Sequence, residues 1–134
     1  RGSRARCEFD IAADLAAVNV DVGQLSQVIG NLVINAIQAM PQGGTIRIAA
    51  ANTQWGAGHA SGLPAGRYVQ VTVADEGCGI SPADLPHVFD PFFTTKPSGS
   101  GLGLSSSYSI MARHGGRIAV ESALGRGSVF TLYL

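Results

Sequence analysis

A single lysine, Lys96, is all the chain has in 134 residues, and charged side chains make up only 13% of it. Nine basic residues balance nine acidic ones, so the formal charge is zero. That leaves no basic footprint for nucleic acid and no polybasic patch for a membrane surface. A bound phosphate group would have to be held by backbone amides, a metal ion and one or two cations. Cysteine is scarce as well. Cys7 and Cys78 make no disulfide framework, neither has a CxxC partner, and no His/Cys cluster points to zinc. A reducing cytoplasm is the expected compartment. No apolar run reaches the ~18 residues of a membrane span, and no signal peptide is visible. A membrane-anchored parent is compatible with both absences. Arg1 to Ser3 read as an appended remnant, and the end at Tyr133-Leu134 reads as the edge of an excised domain.

What remains is apolar and rich in glycine. A hydrophobic content of 46% in 134 residues describes one domain with a substantial core, the opposite of a disordered chain. Residues 4–11 alternate, with Cys7, Phe9 and Ile11 on one side and Arg6, Glu8 and Asp10 on the other, the pattern of a half-buried strand. Asp21 is placed to cap a helix over 22–40, whose Leu25, Val28, Ile29, Leu32, Ala36, Ala39 and Met40 form a core face. Beside that face run Gln24, Gln27, Asn31, Asn35 and Gln38, within about 80° of one another on the helix. No charged residue interrupts the helix. The amides form either the wall of a polar pocket or a solvated, partner-facing stripe. Strands are predicted over Thr45 to Asn52, Tyr68 to Ala74, Arg117 to Ser122 and Ser128 to Leu134, with a loose hairpin loop over 53–66. A short helix is predicted from Ser81-Pro82, and a second long one from about Leu102 to His114, with His114 at its negative end. One layer of helices on a mixed, mostly antiparallel sheet accounts for these elements, an α/β (α+β) two-layer sandwich.

Two glycine clusters frame the chemistry. Asp75 ends a strand just before Gly77, Cys78 and Gly79, and its carboxylate can accept a hydrogen bond from an exocyclic amine such as adenine's. Cys78 reads as a small filler, with a reactive thiol as the other reading. Gly99, Gly101 and Gly103 precede a helix whose N-terminus attracts phosphate. Between the clusters lies an aromatic, proline-punctuated segment carrying Lys96, and together these suggest a nucleotide site with a mobile cover. Asn35 offers a neutral carboxamide oxygen, enough for Mg²⁺ on a triphosphate, where phosphates and waters fill most of the octahedron.

The order of Asn-Leu-x-x-Asn-Ala, Asp-x-Gly-x-Gly, Phe-Asp-Pro-Phe-Phe-Thr-Thr-Lys, Gly-x-Gly-Leu-Gly-Leu-Ser and a late Gly-x-Gly resembles the catalytic, ATP-binding domain of bacterial sensor histidine kinases. That family lies within the wider group shared with gyrase, mismatch-repair and chaperone ATPases. The resemblance covers roughly residues 4–134 and implies a sandwich of the Bergerat type. It assigns Asn31 and Asn35 to the N-box, with Asn35 the Mg²⁺ ligand and Gln38 near the phosphates, although lysine or arginine is frequent at that last position. It places Asp75 on the adenine amine, with Gly77, Gly79 and Ile80 beside it. Phe89, Phe92 and Phe93 fall in a lid over roughly 86–100, expected to be mobile without nucleotide, with Lys96 and Gly99 near its end. Gly101, Leu102, Gly103 and Leu104 would close over the triphosphate, and Gly125 and Gly127 match the last glycine motif, which a turn alone could explain.

The resemblance also discriminates within the group. Gyrase-like ATPases place a glutamate four residues before the metal asparagine, as general base for water. Asn31 stands there instead and cannot take a proton at neutral pH. Slow hydrolysis is therefore expected, with transfer to a neutral imidazole still feasible. Of the three histidines, His59 has the phosphoacceptor spacing to Pro64 but lacks the acidic neighbour and the helix, while His87 and His114 fit a lid edge and a helix end. The acceptor histidine is expected on a separate dimerisation and phosphotransfer domain. The expected partners are that domain and, through the full-length kinase, a response regulator, with a homodimeric parent and a monomeric isolated domain. The rival readings are a degenerate nucleotide-binding regulatory module and an anti-sigma-type serine kinase.

Overall fold

The computed structural model describes residues 5–56, 58, 63–91, 93 and 103–134. The elements run β1 (Ala5–Ile11), α1 (Val22–Ala39), β2 (Gly44–Trp55), β3 (Gly66–Ala74), a single 3₁₀ turn (Leu85–His87), α2 (Gly103–Arg113), β4 (Arg117–Ala123) and β5 (Gly127–Tyr133). The strands form one sheet in the order β1-β2-β3-β5-β4. Only β1 with β2 is parallel, joined through α1, and the other three pairings are antiparallel. Such parallel neighbours need a crossover, and α1 provides it. The expected mixed two-layer architecture is the one observed. Among the described residues no helix is long and apolar enough to cross a membrane.

The core lies between the helices and one face of the sheet. Val28, Leu32 and Ala36 of α1 meet Ile46 and Ile48 of β2, Val69, Val71 and Val73 of β3, and Phe130 and Leu132 of β5. Ile110 and Met111 of α2 complete it. Phe130 is 1% exposed, and burying a side chain of that size contributes roughly 1.5–3 kcal/mol. Asp21 caps α1 as expected, its Oδ1 accepting the Gln24 N–H at 2.9 Å.

Four expectations change. Cys7, Phe9 and Ile11 share a side of β1, but that side is not half-buried: Phe9 is 68% exposed and Ile11 51%. The strand forms at the sheet edge, beyond the cover of the helical layer. β2 continues past Asn52 to Trp55, because the Trp55 indole stacks on Tyr68 with centroids 4.4 Å apart and meets Tyr133 edge-on. Its Nε1–H also donates to the Pro64 carbonyl. The helix expected after Ser81-Pro82 is reduced to turns and the one 3₁₀ turn, with Ser81 Oγ accepting from the Asp84 N–H at 3.2 Å. Finally, His114 does more than face the end of α2. Its Nδ1 lies 2.8 Å from the Ile110 carbonyl while Nε2 accepts the Asp21 N–H at 3.1 Å, so the ring bridges the end of α2 to the start of α1.

Candidate functional site

β3 carries Asp75 to the end of the sheet next to the C-terminus of α1 and the β4–β5 turn. The residue is 8% exposed. Its Oδ1 accepts from the Gly77 N–H at 2.8 Å and the Ser128 N–H at 3.3 Å, and its own N–H donates to the Ser128 carbonyl at 2.9 Å. A carboxylate held by backbone donors on both sides keeps its position without help from a ligand.

The loop after Asp75 is braced by its surroundings, which explains its glycines. A Cβ on Gly77 would lie 2.6 Å from the Ala39 carbonyl oxygen, and one on Gly79 would lie 2.1 Å from that of Ala123. Between them the Cys78 N–H donates to Ala39 O at 3.2 Å and the Cys78 carbonyl accepts the Gly125 N–H at 2.8 Å. The Cys78 side chain is exposed, so the filler reading fails; its backbone does the bracing. Ile80 packs against the core and donates its N–H to Ser122 Oγ at 2.8 Å. Gly127 belongs to the same construction, since its Cβ would meet the Asp75 carbonyl oxygen at 2.1 Å. Gly125, at φ +76° with open space around it, needs to be glycine only for the backbone conformation of the turn.

Midway along the amide stripe of α1, Asn31 faces α2, while Gln27 is exposed. Asn31 Nδ2 donates to the Gly103 carbonyl at 3.2 Å and lies 3.3 Å from Ser107 Oγ, tying α1 to the first turn of α2. Asn35, one turn further on, is half-buried on the same stripe, and Gln38 is exposed. Phe89 packs on Tyr108 and Phe130 with centroids 5.3 and 6.3 Å apart, so the start of the expected lid is fastened to the core. His87 Nδ1 lies 2.9 Å from Asp90 Oδ2, both side chains exposed. Leu104 is half-buried against the core at the start of α2. Phe92, Lys96, Gly99, Gly101 and Leu102, with most of the expected lid and His59, lie outside the described residues. Among the described residues, no group of three or more His, Cys, Asp or Glu side chains gathers as a metal site.

Residues 20–134 match the family of histidine kinase-, DNA gyrase B- and HSP90-like ATPases. The chain belongs to this family. Within it, the chain is 42% identical over 139 residues to the sensor kinase CckA of Brucella abortus, covering 99% of this chain and 15% of that protein. It is 42% identical over 120 residues to the sensor histidine kinase ZraS of Escherichia coli K12, covering 90% and 23%. The chain thus spans less than a quarter of the length of these relatives. Among solved structures, the mycobacterial sensor histidine kinase MprB superposes with a TM-score of 0.75 at 26% identity, covering 96% of this chain and 80% of that one. A nucleotide-free catalytic domain of the histidine kinase ThkA gives 0.73 at 32% identity, covering 96% and 76%. Within the family the chain is an ATPase domain of the sensor histidine kinase kind, as the resemblance implied.

Sequence reasoning singled out Asp75 and its glycines but missed Ser122 and Ser128, which hold the loop from beneath. They face each other across the last hairpin. Their signal was the symmetric placement of two serines around Ala-Leu-Gly-Arg-Gly, legible only once that turn is drawn closed.

Proposed function

We propose that this domain binds Mg-ATP and transfers its γ-phosphoryl group to a histidine on a separate helical domain of its parent. The observation that carries the reading is the fixed Asp75 carboxylate, nearly buried at the mouth of a braced glycine loop, where an adenine amine can donate to it. Asn31 and Asn35 lie on the α1 stripe that faces the start of α2, the end where phosphate is attracted. Asn35 suits Mg²⁺ that arrives with the phosphates, because a neutral oxygen does not repel them and few protein ligands are needed. Bound there, the metal supplies charge neutralisation on the phosphate oxygens.

The chain's own part is to hold the base at Asp75, position the triphosphate between α1 and α2, and offer no proton acceptor to water at Asn31. The imidazole nitrogen attacks the γ-phosphorus, the bond to the β–γ bridging oxygen breaks, and ADP leaves with that electron pair. The parent's helical domain and a response regulator are the partners in this scheme, and the site works on the cytoplasmic side. Calorimetric titration with a non-hydrolysable ATP analogue, with and without Mg²⁺, tests it. Metal-dependent binding is expected, weakened about 10-fold or more by Asp75→Asn and by Asn35→Ala. No binding by the unmodified domain at millimolar ligand would overturn the reading.

A further inference from the structure

The Ser122 hydroxyl sits among three partners, each at 2.8 Å: the Ile80 N–H, the Gly127 carbonyl and Ser128 Oγ. A hydroxyl has one hydrogen to give and two lone pairs to fill. The Gly127 carbonyl can only accept, so it takes the Ser122 hydrogen. Ser128 must then donate to Ser122, and the Ile80 N–H fills the second lone pair. All of the hydroxyl's capacity is spent inside the fold. On one side it holds Ile80, the far end of the glycine loop. On the other it holds Ser128, whose backbone N–H and carbonyl bind Asp75, the near end. The two ends of the loop therefore share one hub, carried on the last pair of strands.

We propose that Ser122 is a positioning residue for the nucleotide loop: by fixing Ile80 against Asp75 it sets the domain's preference for a base with an exocyclic amine over one with a carbonyl at that place. The inference rests on the reading that Asp75 receives adenine. A replacement that removes the hydroxyl frees the Ile80 N–H, lets the loop drift from the carboxylate, and loses discrimination along with affinity. Nothing on Ser122 itself need touch the nucleotide.

The test is calorimetric binding of non-hydrolysable ATP and GTP analogues to the unmodified domain, Ser122→Ala and Ser122→Thr, with amide hydrogen exchange at Ile80 measured alongside. The expected result for Ser122→Ala is about 10-fold weaker binding of the ATP analogue and a reduced ATP-to-GTP preference. Exchange should quicken at Ile80 while the amides of Val71 and Phe130 stay protected. Ser122→Thr, which keeps the hydroxyl, should restore both affinity and preference. Should the alanine variant not fold, Ser122→Cys, a weak hydrogen-bond former of similar size, carries the same expectation. Unchanged affinity and preference in a variant with quickened Ile80 exchange would overturn the proposal while leaving Asp75 in place. So would an equal loss for both analogues, the mark of general destabilisation. No binding by the unmodified domain would instead remove the reading beneath it, and the proposal with it.

Discussion

Asn31 shows how one side chain can be fixed by two demands. In the proposed function it denies water a general base, and in the fold its Nδ2 donates across to the Gly103 carbonyl at the start of α2. A carboxylate in the same place has no hydrogen to donate and would set its charge against that carbonyl. Asn31→Asp should lower stability by no more than about 1 kcal/mol, because the bond is solvent-exposed and the N-terminus of α2 favours a negative charge, read as a shift in the urea midpoint at neutral pH. A loss well above that would mean that the bond to Gly103 contributes more than an exposed hydrogen bond does. That a carboxamide takes no proton at neutral pH was legible from residue type alone. The bond to α2 was not, because the partner lies 72 positions away and only packing brings it near.

The last hairpin and the glycine loop form one mechanical unit, and their glycines separate into two kinds. Gly125 needs only its backbone conformation, since nothing lies within 4 Å of where its Cβ would be. Gly127 needs empty space as well, because a Cβ would press on the Asp75 carbonyl at 2.1 Å. Gly125→Asn, a residue that tolerates positive φ, should cost less than about 1 kcal/mol. Gly127→Ala should cost more than about 2 kcal/mol and should also weaken nucleotide binding, because it displaces Asp75. Urea unfolding and calorimetry on the two variants check both, and equal effects would show that the turn alone sets the requirement. The hairpin's strands and turn could be read from the sequence, since alternating apolar residues flank Gly-Arg-Gly. Its hold on Asp75 could not, because a glycine's spacing does not say whether the backbone or a neighbour requires it.

Over the whole molecule, the helical layer covers β2, β3 and β5 more fully than the edge strand β1. Alternation in residues 5–11 revealed the strand and its apolar side, but an amphipathic pattern does not say whether another layer lies over that side. Phe9 and Phe130 make the contrast measurable. Phe9→Ser should change the stability of the isolated domain by less than about 0.5 kcal/mol, whereas Phe130→Ala should cost about 3–5 kcal/mol. A large loss from Phe9→Ser would mean that β1 is covered after all. The parallel pairing of β1 carries a further consequence. Ala5 pairs with Gly44, and Arg47 pairs with Ala74, so the chain enters the sheet at the end that holds Asp75. Leu134 pairs with Val69 at the other end, roughly 20 Å away along β3. A domain tethered before β1 starts its search for the nucleotide from the near shore, at high effective concentration over a short leash. One tethered after β5 must first span the length of the sheet, so the fold's polarity alone ranks which attached module reaches the Asp75 end of the site first.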